Sequence, residues 1–220
     1  MQLLAIVTML IDHVGLIFFP DSPGWRIVGR IAFPIYAYFI TVGYRMTSSR
    51  PKYLLRLAVL AAIAQVPYML AFDTTHYNVI FTLLASALVL LAIDGLLASR
   101  LPRAVAWLAI VPVTLVAALF MTDLPFDYNA YGLLLILIYR YSDKGLAALL
   151  HLLLNVLYLA LNGPDWGIQM FSIVPTLLLV YGSELRAELN RLRVPRWLWR
   201  AFYPAHLAAL AAAEFFLRWR

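Results

Sequence analysis

An aspartate and a histidine stand side by side, Asp12-His13, inside an apolar run near the start of the chain. A neutral imidazole, with an ordinary pKa of about 6.5, can take a proton from an attacking amine or hydroxyl near neutral pH. A charged side chain at mid-bilayer costs about 2.5–3.5 kcal/mol even on a lenient insertion scale, so it needs a partner and marks a place to look for function. Neighbours on a helix point about 100° apart. Asp12 and His13 therefore cannot serve each other, and each turns to another helix. Arg30, at the head of the next apolar run, is the expected partner of Asp12, because a guanidinium–carboxylate bond is charge-assisted. Two readings stand at this point. In one, His13 is a general base ordered by Asp12 and Arg30. In the other, Asp12 and Arg30 are a structural ion pair and His13 bonds a backbone carbonyl.

Other polar residues in apolar surroundings extend the pattern. Asn78 and Thr82 share a helix face at i, i+4. Asp127, Tyr128 and Tyr131 form a polar aromatic cluster that suits either an acceptor substrate or an interfacial aromatic belt. Tyr203 and His206 flank Pro204, which frees a backbone carbonyl that His206 can satisfy. Gln65, Asn155 and Gln169 read as interhelical hydrogen-bonding groups. His76 and His151 read as peripheral. Cysteine is absent, which excludes disulfides, thiolate nucleophiles and cysteine metal sites. No metal site is expected.

The elements that must position these residues are membrane helices. Hydrophobic residues make up 64% of the 220 and charged ones 13%, with a mean hydropathy of +0.85. Soluble domains run near half apolar, so the bilayer must act as solvent here. Apolar runs fall near 3–20, 31–47, 54–72, 78–97, 103–121, 130–141, 145–161, 166–182 and 199–217. They predict an all-α polytopic integral membrane protein with about nine transmembrane helices, within a range of about eight to ten. The whole of 1–220 reads as a single transmembrane helical domain. The first run lacks the basic n-region and small-x-small site of a signal peptide, and reads as a retained helix.

Charge sets the expected orientation. Thirteen of the seventeen Lys and Arg residues lie in alternate loops, among them Arg45, Arg50, Lys52 and Arg56 after the second run and Arg186 to Arg200 after the eighth. The positive-inside rule then puts the N-terminus in the cytoplasm. The segment 183–200 reads as a basic amphipathic cytoplasmic stretch lying on anionic lipid. The net charge of +6 is assigned to lipid contact rather than to nucleic acid.

Several stretches in order along the chain form a pattern: AIVTMLIDHVG (5–15), GRIAFPIYAYFITVGYR (29–45), KYLLRL (52–57), AQVPY (64–68), NVIFTLL (78–84), DYNAYG (127–132) and FYPAHL (202–207). This pattern resembles the TraX family of bacterial membrane proteins. The specific part is DH followed by GRIAFPI. The family includes the enzyme that acetylates the N-terminus of conjugative pilin. Its fold is similar to that of membrane acyltransferases that use cytoplasmic coenzyme A. The resemblance points to Asp12, His13, Arg30, Asn78, Asp127 and His206, with His13 as base, and implies the bacterial cytoplasmic membrane.

The functional expectation is a membrane O- or N-acyltransferase, with acyl-CoA (acetyl-CoA first) as co-substrate. Arg45, Arg50, Lys52 and Arg56 would hold the CoA phosphates. Asn78, Thr82, Asp127, Tyr128, Tyr203 and His206 would contact the substrate. The acceptor would be a protein N-terminus, a glycan or a lipid headgroup. No serine lies beside a histidine, so transfer is expected to be direct. The competing readings are a proton-coupled transporter or channel that uses Asp12, His13 and Arg30 as a relay, and an assembly protein without catalysis.

Overall fold

Proline and polar caps mark many of the helix limits. Pro23 and Pro51 occupy first-turn positions, where a missing N–H costs nothing, and Asn78 and Asp143 accept bonds from the first-turn amides of Ile80 and Leu146. The computed structural model describes residues 1–218. In order they form α1 (Gln2–Phe18), α2 (Pro23–Gly29), α3 (Ala32–Met46), α4 (Arg50–Phe72), α5 (Val79–Leu97), α6 (Arg103–Asp123), α7 (Asn129–Tyr141) and α8 (Lys144–Asn162). A 3-10 helix (Pro164–Ser172) then leads into α9 (Ile173–Tyr181), α10 (Ser183–Arg191) and α11 (Arg196–Arg218).

Among the described residues, five helical stretches are long and apolar enough to cross a membrane: Pro23–Met46, α4, α5, α6 and α8. A sixth arises if the stretch Pro164–Tyr181, bent by 93° against α10, counts as one span. These are fewer than the nine apolar runs suggest. The physical reason is length. A helix of 13 residues, as in α7, is about 20 Å long, against a hydrocarbon core of about 30 Å. The run near 166–182 is split between a 3-10 helix and the nine-residue α9. α11 has 23 residues, but Arg200, His206 and Glu214 dilute its apolar character.

Surface chemistry identifies an integral membrane protein. α6 buries only Ala106 and Met121, while Leu108, Val111, Leu115, Val116 and Leu119 are all more than half exposed. Lipid is the solvent that removes the cost of so much bare apolar surface. The basic segment 183–200 is not one helix. It is α10, with no buried residue, then a break at 192–195 ended by Pro195, then the start of α11.

A ring of helices defines the interior. α1 packs on α3 and α11, α11 on α4, α4 on α5, and α5 back on α3. Close approach at two glycines locks α2 against α1. A Cβ on Gly15 would sit 2.1 Å from Trp25 Cβ, and one on Gly29 2.0 Å from Asp12 Oδ1. Both distances are far inside contact range, so only hydrogen fits.

Candidate functional site

A cavity of about 1090 Å³ fills the ring. Its wall follows α3 from Ala32 through Phe33, Tyr36, Phe39 and Ile40 to Gly43, a run of roughly 16 Å at 1.5 Å per residue. One end carries Tyr53, Arg56, Trp199 and Arg200. The other carries Asp12, Arg26, Arg30, Asp127, Tyr128 and Gln169. Between them the lining is mainly aliphatic, with His13 on the α1 wall.

Asp12 is bonded by Arg26, not by the expected Arg30: Arg26 Nη1 donates to Asp12 Oδ1 at 2.8 Å. The cause is local. Pro23 starts α2 about two turns ahead of the apolar run near 31–47, so Arg26 faces α1, and bare Gly29 lets the carboxylate lie against the backbone. Arg30 turns the other way. Its Nη1 donates to Gln169 Oε1 at 3.1 Å and approaches the Tyr128 hydroxyl at 3.5 Å. Gln169 lies in the 3-10 helix and is 5% exposed. The sequence marks it as an interhelical hydrogen-bonding group; nothing in its pattern names Arg30 as the partner.

His13 pairs with His206, which stands behind it on α11. His13 Nδ1 and His206 Nε2 are 2.7 Å apart, and the rings stack at 9°. His206 Nδ1 lies 2.7 Å from the Phe202 carbonyl. A carbonyl only accepts, so His206 carries its proton on Nδ1 and presents a bare Nε2. His13 must then donate from Nδ1, which leaves its Nε2 with a free lone pair. That is the tautomer a general base needs. The carbonyl His206 bonds is that of Phe202, not the Arg200 carbonyl that Pro204 deprives of its helical partner.

The turn between α6 and α7 is pinned to α5. Tyr77 N donates to Pro125 O at 2.8 Å and Asp127 N to Tyr77 O at 3.1 Å, and the Thr82 hydroxyl donates to the Asp127 carbonyl. Tyr128 and Asn129 take positive φ angles of 61° and 32°, an uncommon conformation for residues with a Cβ. It lays the Tyr128 ring on Phe33, with centroids 3.8 Å apart. Burial pushes the Asp127 carboxyl up to about 6, against the opposing pull of Arg30.

The remaining predicted residues divide. Tyr203 lines the cavity. Asn78 and Thr82 are fully buried outside its lining and bond backbone and neighbours: Asn78 caps α5 and bonds Ala61 O and Gln65. Of the four basic residues proposed for phosphates, Arg56 lines the cavity, while Arg45 and Lys52 are exposed outside it. Arg50 pairs with Asp94 at 3.3 Å, beside Arg140 at 3.2 Å. Arg200 lines the cavity in addition. His151 is not peripheral. It is fully buried, with Nδ1 2.6 Å from Thr176 Oγ1 and Nε2 2.9 Å from the Tyr131 hydroxyl, in a network with Asn155 and Ser172. These side chains tie α7, α8, the 3-10 helix and α9 together behind the cavity.

The chain is similar to two curated proteins. It is 30% identical over 254 aligned positions to the "Probable fimbrial assembly protein FimC, serogroup H1" of Dichelobacter nodosus, covering 99% of this chain and 96% of that one. It is 36% identical over 66 positions to the "Uncharacterized protein RP591" of Rickettsia prowazekii (strain Madrid E), covering 30% of this chain and 25% of the other. No solved structure matches. The family model described as "TraX protein" matches residues 1–213, and the chain therefore belongs to the TraX family.

Proposed function

We propose that this protein is a membrane-embedded acyltransferase. It moves an acyl group, acetyl first, from acyl-CoA to an amine or hydroxyl acceptor, with His13 as general base. The observation that carries the reading is His13 on the cavity wall, backed from outside the lining by His206 and the Phe202 carbonyl, an arrangement that leaves His13 Nε2 unprotonated. Arg56 and Arg200 at one cavity end support a seat for the CoA phosphates, and exposed Arg45 and Lys52 extend it; Arg50, held by Asp94, contributes less. By the positive-inside rule that end faces the cytoplasm, as does the N-terminus. The membrane is the bacterial cytoplasmic one.

The acceptor approaches the opposite end, where Asp12–Arg26, Arg30, Asp127 and Tyr128 converge. His13 takes the acceptor proton as the nucleophile attacks the thioester carbon. The C–S bond then breaks and the proton passes to the CoA thiolate. Family membership and the fimbrial-assembly relative support the N-terminal amine of a filament subunit as the first acceptor to assay. The test is acetyl transfer from labelled acetyl-CoA to such a subunit by detergent-purified protein, with His13→Ala as control. Label appearing equally with His13→Ala refutes the reading.

A second reading draws on the length of the cavity, which runs along α3 between two charged ends. A proton-coupled transporter would move solute in vesicles without acyl-CoA, and would leave acetyl-CoA intact.

A further inference from the structure

The lipid-facing side of α4 and the wall of the cavity coincide over part of their length. Leu55, Val59, Ile63, Val66 and Leu70 follow one another at spacings of three and four residues, so they form one stripe along the helix. Each is more than half exposed, on a helix long and apolar enough to cross the membrane, and lipid covers such a stripe. Leu55, Val59 and Ile63 also line the cavity, whereas Val66 and Leu70 do not. The cavity is therefore open to the bilayer along the first three. Length and charge decide what fits the opening. From Leu55 to Ile63 is about 12 Å at about 1.5 Å per residue, against about 15 Å for one leaflet, half of a hydrocarbon core of about 30 Å. Water between these aliphatic side chains finds no hydrogen-bonding partner, whereas a hydrocarbon chain needs none. Arg56 and Arg200 stand at the Leu55 end, both exposed and both on the cavity lining. Among the described residues the arginines in ion pairs are Arg26, Arg50, Arg140 and Arg191. Arg56 and Arg200 are not among them.

We propose that this opening is a lipid site. It takes one anionic phospholipid, with the phosphate on Arg56 and Arg200 and an acyl chain along Leu55, Val59 and Ile63 inside the cavity. The chain exchanges one hydrocarbon surrounding for another, so the headgroup decides the affinity. Basic residues near the membrane surface attract an anionic headgroup, and a guanidinium–phosphate bond is charge-assisted. By the positive-inside rule the lipid comes from the cytoplasmic leaflet. The site goes beyond the acyl-transfer reading and does not rest on it. The same two arginines are the proposed seat of the CoA phosphates, so lipid and acyl-CoA exclude each other there.

The experiment is native mass spectrometry of the detergent-purified protein titrated with phosphatidylglycerol, with phosphatidylcholine, and with glycerophosphoglycerol, the headgroup without its chains. The wild type holds one phosphatidylglycerol about tenfold more tightly than phosphatidylcholine, and the bare headgroup at least about tenfold more weakly than the intact lipid. Arg56→Gln and Arg200→Gln together remove the preference for phosphatidylglycerol. Val59→Trp fills the opening and weakens phosphatidylglycerol by about fivefold or more, while Val66→Trp, on the same stripe beyond the cavity, changes it by less than about twofold. Ile63→Trp repeats the test should Val59→Trp not fold. Equal effects of Val59→Trp and Val66→Trp mean ordinary lipid coating and overturn the site. A phosphatidylglycerol preference that survives in the double Gln variant overturns the arginine seat, and bare headgroup bound as tightly as the intact lipid overturns the place of the chain. Acyl-CoA is absent throughout, so each of these failures leaves the acyl-transfer reading standing.

Discussion

His13 Nδ1 lies 2.7 Å from His206 Nε2, on helices at opposite ends of the chain. Under the proposed reading the contact makes His206 a positioning residue: it fixes the tautomer of His13, because its own Nδ1 proton is committed to the Phe202 carbonyl. His13→Ala should lower kcat by about 10²–10⁴, the usual contribution of a general base. His206→Ala should cost less, roughly tenfold, and displace the pH profile of kcat. His206→Gln should restore part of the rate, since its amide oxygen can accept from His13 Nδ1. Equal loss in His206→Ala and His206→Gln would point to packing alone.

Asp12 and Arg26 form a charge pair on the cavity wall, and side-chain exposures of 10% and 27% put the carboxylate among protein atoms. Removing one partner of such a pair strands the other, at about 3 kcal/mol. Asp12→Ala and Arg26→Ala should each lower the unfolding temperature in detergent, and the double variant should recover part of the loss. The same cycle with Arg30 should give much weaker coupling. Strong coupling of Asp12 to Arg30 and none to Arg26 would contradict the geometry.

The apolar runs locate α4, α5, α6 and α8 to within a few residues, because each is long, continuous and bounded by proline or polar caps. They misjudge 166–182, where apolar composition hides a 3-10 helix and a sharp bend. Asp12, His13 and Arg30 are legible because buried ionisable groups are rare in membrane helices. Their pairing is not, since it depends on which side of α2 faces α1. Arg26 reads as a loop residue until Pro23 is seen to start a helix there. Gln169, Arg200 and the burial of His151 depend on helix rotation and packing, which no local pattern encodes.

Asp127 gives a pH signature. Its folded-state pKa is raised by burial to about 6, against about 3.9 for a free aspartate. Between these values the folded chain binds more proton than the unfolded one, so the contribution of Asp127 to stability falls as pH rises from about 4 to about 6. Above about 6 its penalty is constant. Unfolding temperature measured across that window should decline in the wild type, and Asp127→Asn should flatten the decline. An Asn variant with an unchanged slope would assign it to other groups.

The His151 network is structural. Thr176→Val keeps shape and removes the hydroxyl that faces His151 Nδ1 and the Tyr139 hydroxyl. Two buried groups then lose a partner, at about 1–3 kcal/mol each. The variant should unfold at lower temperature while KM for acyl-CoA stays unchanged at a temperature where it is folded. A selective loss of acyl-CoA affinity would place the network in the binding site instead.

The central claim is that His13 catalyses acyl transfer. Its most direct test is single-turnover transfer of labelled acetyl from acetyl-CoA to a filament-subunit N-terminus by purified protein in lipid nanodiscs. The account predicts transfer by the wild type and at least a 100-fold slower rate (about the lower bound for a lost base) in His13→Ala of equal thermal stability. Transfer at the wild-type rate by His13→Ala, or none by a folded wild type that binds acetyl-CoA and the acceptor, would contradict it.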